Sequence, residues 1–366
     1  MPGGPEFVGA LRAAWDEGSA VAPIDVRLPK PAVEAVLSAL APSVVVEAGG
    51  ERHRRAGGRP VEEGDALVMA TSGTTGRPRG VVLTHEAVAA SAWATSHRLA
   101  VDPATDRWLA CLPLAHIGGL SVVTRALVTG TPVEVHSRFE AEAVMEAATG
   151  ASPVTLVSLV GTALGRVDAS LFRVVVVGGS APPPRMPPNA VSTYGMTETG
   201  SGVVYDGVPL EGVEVAIGAR GQILLRGPML FRSYRDGSAP FVDGGWFPTG
   251  DAGSLDASGR LTVHGRLSDL IITGGENVWP SAVEAVLRRH PAVAEVAVAG
   301  RPDPEWGERV VAWVVPASGT APALEELRDL VRSELSPWAA PKEVEVVRSL
   351  PRTALGKVRR AALARA

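Results

Sequence analysis

Ala66-Leu67-Val68-Met69-Ala70 and Val174-Val175-Val176-Val177 are runs in which every residue is apolar. A strand with one face in water alternates polar and apolar side chains, so an unbroken run belongs to a strand covered on both faces. Such strands, alternating with helix-like stretches, predict an α/β fold built on a mostly parallel sheet. At 366 residues the chain is long enough for two or more domains.

Upstream of the first run, Val33 to Leu40 reads as helix, Val44-Val45-Val46 as a short apolar run, and Gly49 to Pro60 as a loop. Thr84 is placed to N-cap an Ala-rich helix. The character changes near Tyr205. From there to about Val263 the chain is Gly-rich with short alternating runs such as Gln222-Ile223-Leu224-Leu225-Arg226, which predict antiparallel strands in a small barrel-like subdomain. Helix (Pro280 to Arg289), strand (Ala292 to Ala299), strand (Val310 to Val315) and helix (Leu324 to Leu335) then predict a small α+β domain. The expected layout is a large N-terminal domain over residues 1–266 and a small C-terminal one over 267–366, divided at Arg266–Asp269.

Composition narrows the function classes. A formal net charge of −4, with no basic cluster interleaved with aromatics, gives no footing for nucleic acid or anionic membrane. Cys111 is the only cysteine, which excludes an intrachain disulfide and a Cys-rich metal site. The opening MPGGPEFVGALRAAWDEG lacks the basic head and apolar core of a signal peptide, and no apolar run reaches the ~18 residues a membrane span needs. The expectation is a cytoplasmic protein with no membrane insertion.

Five motifs carry chemistry. Thr71-Ser72-Gly73-Thr74-Thr75-Gly76-Arg77-Pro78-Arg79-Gly80 follows a buried strand; its glycines let successive N–H groups face one anion and its hydroxyls add donors, which suits a polyphosphate. No Gly-Lys-Ser/Thr closes it, so it is not a Walker loop, and a plain Gly/Thr surface loop would read the same way. Tyr194-Gly195-Met196-Thr197-Glu198-Thr199 offers a ring to stack on a base, a hydroxyl for a phosphate and a carboxylate for Mg²⁺, although a turn with a solvated Glu looks alike. In Trp246-Phe247-Pro248-Thr249-Gly250-Asp251, the Asp suits two ribose hydroxyls or a simple turn cap. Gly265-Arg266-Leu267-Ser268-Asp269 precedes Gly274-Gly275-Glu276-Asn277, and Pro351-Arg352-Thr353-Ala354-Leu355-Gly356-Lys357 lies near the end. Only Lys30, Lys342 and Lys357 are lysine among 35 Lys and Arg residues, so a Lys after a Gly-containing turn points to a need for a compact ammonium.

In this order the motifs resemble the acyl-adenylate-forming, AMP-binding superfamily of acyl-CoA synthetases, peptide-synthetase adenylation domains and luciferases, over about Leu67 to Arg360. The resemblance implies an AMP-forming acid–thiol ligase using ATP, Mg²⁺ and CoA. It assigns Thr71, Ser72, Gly73, Thr74, Thr75 and Gly76 to the β- and γ-phosphates, Gly178, Gly179, Ser180, Tyr194 and Gly195 to the adenine, and Thr197 to the α-phosphate. Glu198 would hold Mg²⁺, and Asp251 and Arg266 the ribose. Lys357 would meet the acid's carboxylate and the α-phosphate from a mobile C-terminal domain hinged at Ser268. Gly274, Gly275 and Trp306 would line the pantetheine path. Arg79 stands where the superfamily usually has Lys, a change the Arg-rich composition accounts for. The region before the loop is also short, which implies a reduced N-terminal domain and a homodimer as one way to cover exposed surface.

Leu112-Pro113-Leu114-Ala115-His116-Ile117-Gly118-Gly119-Leu120 matches the superfamily's acid-pocket motif, with His116 as gate and Gly118 and Gly119 beside it. Arg125, nine residues on, lies opposite His116 or near it according to where the helix begins. Buried, it suits a second carboxylate; solvated, it says nothing. Length, the His-Ile-Gly-Gly-Leu…Arg pattern and Ser268–Asn277 are similar to the ligases acting on 2-succinylbenzoate, an aromatic dicarboxylate of menaquinone biosynthesis. A general aryl or medium-chain acyl-CoA ligase is the alternative, and a non-catalytic nucleotide-binding homologue a more distant one.

Overall fold

A computed structural model describes residues 2–72, 78–183, 185–318, 321–352 and 358–364. The chain divides into two compact units, the first made of Met1–Val215, Leu225–Phe247 and Ala257–Leu261, the second of Ala216–Leu224, Pro248–Asp256 and Thr262–Ala366.

The first unit is organised by a seven-stranded sheet in the order Val208–Pro209, Ser201–Tyr205, Ala190–Met196, Val174–Gly178, Leu156–Val160, Trp108–Ala110, Val133–Val135. Its five strands from Ala190–Met196 to Val133–Val135 run parallel, and the two at the other edge are antiparallel. Leu109, Val157, Leu159, Val175 and Val177 pack with Val144 and Ala148 of the Ala141–Thr149 helix. Trp108, Leu156 and Val176, the alternate residues, are buried as well. Both faces are therefore covered, as the unbroken apolar runs require. The Ile117–Thr129 helix packs against the His85–Arg98 helix and the sheet. Thr84 caps the His85–Arg98 helix through Oγ1, which accepts the Ala87 N–H at 3.1 Å.

A three-stranded antiparallel sheet, in the order Ser233–Tyr234, Pro78–Thr84, Asp65–Ser72, carries the phosphate motif. Ser72 pairs with Pro78, so the strands that flank the Gly/Thr motif pair antiparallel, and the element that follows it is the strand Pro78–Thr84. Upstream lie the helices Pro5–Asp16 and Lys30–Leu40 and a hairpin of Val44–Val46 with Arg52–Arg54. The second arm of that hairpin sits where the sequence reads as loop. All three of its side chains are exposed, so it leaves no apolar signature, and only Gly49 and Gly50, at φ 88° and 84°, mark the turn.

After Tyr205 the strands Glu214–Ile217, Gln222–Arg226, Phe247–Leu255 and Leu261–Arg266 form a four-stranded sheet, in that order, whose residues are shared between the two units. The second unit also contains a five-stranded sheet. Val293–Asp303 and Gly307–Pro316 form its long antiparallel hairpin, and Ile271–Thr273 with Glu276–Val278 a short one. The helices Pro280–Leu287 and Leu324–Arg332 bury Val283, Val286, Leu287, Leu327 and Val331 against Val296, Val298, Val310 and Ala312. The opposite face holds Ala297, Ala299, Val311, Trp313, Leu350 and Leu363.

Candidate active site

In the first unit the expected nucleotide residues gather at the carboxyl ends of adjacent parallel strands, where open α/β sheets place their ligands. Gly178 ends one strand and Gly179 turns beyond it at φ 84°. Ser180 is exposed just past that turn. Tyr194 and Gly195 lie on the neighbouring strand, Ala190–Met196. A Cβ on Gly178 would stand 2.7 Å from Thr193 Oγ1, and one on Gly195 only 2.1 Å from the Ser201 carbonyl oxygen. Gly195 therefore needs glycine for close backbone approach, and Gly178 gives room to the Thr193 side chain. Thr197 and Glu198 follow in the short 3₁₀ turn Thr197–Thr199, which Thr199 braces by accepting the Met196 N–H at 2.9 Å.

Glu198 is half-buried and held from two sides. Its carbonyl accepts the Phe231 N–H at 2.8 Å, and Tyr234 Oη donates to its Oε1 at 3.0 Å. Among the described residues there is no group of three or more His, Cys, Asp or Glu side chains arranged to hold a metal. One carboxylate beside a hydroxyl still fits Mg²⁺, which takes hard oxygen donors and is held mainly by substrate phosphates with one or two carboxylates. Thr71 is hydrogen-bonded through Oγ1 to the Arg79 carbonyl at 3.4 Å, and Ser72 ends the same strand. Gly73, Thr74, Thr75 and Gly76 lie outside the described residues.

The acid-pocket motif runs into the Ile117–Thr129 helix. His116 is the N-cap residue, and its Nε2 lies 3.6 Å from Asp25 Oδ2. The Arg27 guanidinium grips Asp25 with bonds of 2.9 and 2.6 Å, and chiefly for that reason the pKa of the Asp25 carboxyl falls to about 2. Asp25 had no signal in the sequence that tied it to His116. Gly119 is needed because a Cβ there would stand 2.5 Å from the Pro113 carbonyl oxygen; Gly118 faces open space.

Arg125 is 2% exposed. With Ser121, one helical turn earlier, it faces a water-sized cavity also lined by Ser91, Thr124, Ile117 and Gly200. Its Nη2 donates to Ser201 Oγ at 3.3 Å, Ser201 Oγ reaches Ser121 Oγ at 3.2 Å, and its guanidinium lies 4.8 Å from the centre of the Trp108 ring. Nε and Nη1 have no hydrogen-bond partner among the described residues. Burial pushes its pKa down, though an Arg keeps its charge at neutral pH. The solvated alternative for Arg125 is thereby removed. A buried guanidinium that no carboxylate neutralises is destabilising unless a ligand supplies one.

In the second unit Asp251 and Arg266, both expected at the ribose, pair with each other at 2.8 Å. Gly250, at φ 74°, sets the turn of backbone before Asp251, whose N–H donates to Thr249 Oγ1 at 3.1 Å. Ser268 is exposed in the 3₁₀ turn Leu267–Asp269 and donates to the Asp269 carboxylate at 3.3 Å. Gly274 and Gly275 form the two-residue turn between Thr273 and Glu276, at φ 59° and 83°, the geometry tight hairpins prefer. A Cβ on Gly274 would come within 2.8 Å of the Trp306 ring. Trp306 is 41% exposed and carries Lys342 Nζ 3.3 Å above its ring centre. That cation–π pair was not legible in the sequence, where Lys342 only stood out as a rare lysine. Lys357 lies outside the described residues.

Glycines at the ends of adjacent strands, the Glu198 carboxylate held by Tyr234 and the buried Arg125 guanidinium of the Ile117–Thr129 helix are all in the first unit. The AMP-binding enzyme family matches residues 57–235, and the AMP-binding enzyme C-terminal domain matches residues 282–357. A probable 2-succinylbenzoate–CoA ligase of Mycobacterium tuberculosis is 42% identical over 332 residues, spanning 84% of this chain and 86% of that protein. An indoleacetate–CoA ligase of Aromatoleum aromaticum is 36% identical over 338 residues, 80% of this chain and 66% of that one. Among solved structures, the o-succinylbenzoate–CoA synthetase of Bacillus subtilis bound to its acyl-adenylate intermediate aligns with a TM-score of 0.86 at 29% identity, over 98% of this chain and 85% of that one. The same synthetase with ATP and magnesium aligns at 0.85, again at 29% identity, over 98% of this chain and 86% of that one. The chain belongs to the AMP-binding enzyme family.

Proposed function

We propose that the chain joins 2-succinylbenzoate to CoA through an acyl-adenylate, with cleavage of ATP, in menaquinone biosynthesis. The observation that carries the choice of acid is Arg125, a buried guanidinium on the acid-pocket helix whose Nε and Nη1 have no hydrogen-bond partner among the described residues. An aromatic dicarboxylate supplies the missing counter-charge through the carboxylate that does not react. His116 gates the pocket, with Gly118 and Gly119 beside it.

A carboxylate is a poor electrophile, so it is activated first. Its oxygen attacks the α-phosphorus, a new O–P bond forms, and the bond to pyrophosphate breaks. When bound, Mg²⁺ neutralises phosphate charge. Glu198 orients that cation, Thr197 donates to the α-phosphate, and the Lys357 ammonium balances charge on the acid's carboxylate and the α-phosphate. Thr71, Ser72, Gly73, Thr74, Thr75 and Gly76 hold the outer phosphates. Gly179, Ser180, Tyr194 and Gly195 flank the base, and Asp251 and Arg266 take the ribose. The thiol of CoA then loses its proton and attacks the acyl carbon, and AMP leaves with the electrons of the C–O bond. Gly274, Gly275 and Trp306 guide the pantetheine.

Two half-reactions need different groups at one carbonyl, which supports a division into residues 1–266 and 267–366 with a hinge at Ser268. A homodimer is part of the proposal, and sedimentation tests it. A cytoplasmic location fits the lone, buried Cys111 and the lack, among the described residues, of any helix long and apolar enough to cross a membrane.

The test is CoA-dependent AMP release from ATP across a panel of acids that includes 2-succinylbenzoate and indoleacetate. Preference for the dicarboxylate supports the reading. Preference for a monocarboxylate keeps the reaction and discards the acid, in line with the aryl-acid relative, while no turnover with any acid removes the enzyme.

A further inference from the structure

Tyr234 belongs to none of the motifs above, yet it touches two of them. It lies on the edge strand Ser233–Tyr234, where pairing with Val81 sets it beside the strand that leaves the phosphate loop. It is 9% exposed, and its ring packs on Phe231 at a centroid distance of 4.8 Å. A phenol buried this far needs a partner for its hydroxyl. That partner is Glu198 Oε1, at 3.0 Å. On the other face of the same residue, the Arg79 guanidinium carbon stands 3.6 Å above the ring centre. Arg79 is fixed there by Ser238 Oγ at 2.7 Å and by Asp236 at 3.4 Å.

We infer that Tyr234 is a positioning residue for magnesium: it fixes the Glu198 carboxylate for the cation and ties it to Arg79 at the end of the phosphate loop. The inference rests on the reading of Glu198 as the metal's carboxylate. Several features of the geometry lead to it. A Glu side chain has three torsions to order, and a half-buried one with no anchor samples many of them. Tyr234 fixes one oxygen by donating to it, which leaves the acceptor capacity of the other for a cation. Arg79 also acquires a reason beyond composition. The guanidinium sits over the ring and at the same time bonds to Ser238 and Asp236, for which its planar fork of donors is suited. The positive charge of Arg79, three residues after Gly76, is thus seated on the residue that holds the metal's carboxylate.

The experiment uses the full chain and three variants, Tyr234→Phe, Glu198→Gln and Arg79→Lys. Mn²⁺ replaces Mg²⁺, α,β-methylene-ATP supplies the phosphates without turnover, and free Mn²⁺ is read by electron paramagnetic resonance. Tyr234→Phe keeps the ring under Arg79 and against Phe231, and removes only the hydroxyl. Loss of a hydrogen bond to a charged group should weaken Mn²⁺ binding about tenfold. The Mg²⁺ concentration for half-maximal AMP release should rise in step, while the KM for the acid stays within about twofold, a split that general loss of packing does not give. Arg79→Lys leaves the core untouched and should weaken Mn²⁺ by a few-fold. If Glu198→Gln weakens Mn²⁺ but Tyr234→Phe binds it like the parent, the positioning role is refuted and the metal reading stands. If Glu198→Gln binds Mn²⁺ like the parent, the metal reading fails and this inference with it.

Discussion

Replacing Arg125 with methionine should make the protein more stable and nearly useless for a dicarboxylate. The side chain is 2% exposed and, among the described residues, has one hydrogen bond, to Ser201 at 3.3 Å, and a ring 4.8 Å away. Ser201 is neutral, so the guanidinium's desolvation is poorly offset in the empty enzyme. Exchanging buried charge for a well-packed apolar chain of similar length stabilises by about 1–3 kcal/mol. At roughly 2–4 °C per kcal/mol, the melting transition should rise by several degrees. Catalysis should move the other way. Once the second carboxylate is bound, the pair is buried, and removing one partner costs about 3–5 kcal/mol. That corresponds to a fall in kcat/KM of about 10²- to 10³-fold or more. The assay is AMP release with 2-succinylbenzoate and with an aryl monocarboxylate, alongside thermal unfolding. Activity on the monocarboxylate should stay within about fivefold, since that acid never engages the guanidinium. A loss below about fivefold for the dicarboxylate, or equal losses for both acids, would refute the role of Arg125. A fall in melting temperature would refute the claim that its charge is uncompensated.

Three further expectations can be checked independently. Lys357→Ala should slow adenylation by about 100-fold or more while leaving thioester formation from preformed acyl-adenylate within about fivefold; equal loss in both half-reactions counts against the assignment. Asp25, its pKa held down to about 2 chiefly by Arg27, is a carboxylate favoured by folding. Its stabilisation is therefore present above the unfolded pKa of about 4 and disappears as pH falls through the folded value. Allowing for the exposed Arg27 partner, it amounts to about 1–2 kcal/mol. In urea unfolding, the gap between the parent and Asp25→Asn should be flat above about pH 5 and close as pH approaches about 2. Gly274→Ala places a Cβ within 2.8 Å of Trp306 at a φ of 59°, so it should cost about 1–3 kcal/mol and raise the KM for CoA more than that for ATP.

The sequence by itself determined whatever depends on neighbours a few residues away. Unbroken apolar runs required strands covered on both faces: Val174–Gly178 is such a strand in the parallel sheet, whereas the Ala66–Ala70 run lies in the strand Asp65–Ser72, which pairs antiparallel with Pro78–Thr84. Thr84 capped its helix, Gly274-Gly275 made a tight turn at positive φ, and the order of the motifs marked the family. Other features needed the folded chain. The strands on either side of the phosphate motif, Asp65–Ser72 and Pro78–Thr84, pair antiparallel, and nothing in the motif specifies that pairing. Arg125 turned inward only once the helix was seen to begin at Ile117 with His116 as its cap, which set the phase of the turn. Tyr234 meets Glu198 across 36 residues, and Arg79 meets Asp236 across 157. Asp25 reaches His116 from another part of the first unit altogether. Periodicity and turn chemistry act through the local backbone and are written in order along the chain. Which distant side chains share a hydrogen bond depends on strand order and register, and those are settled only when the sheets assemble.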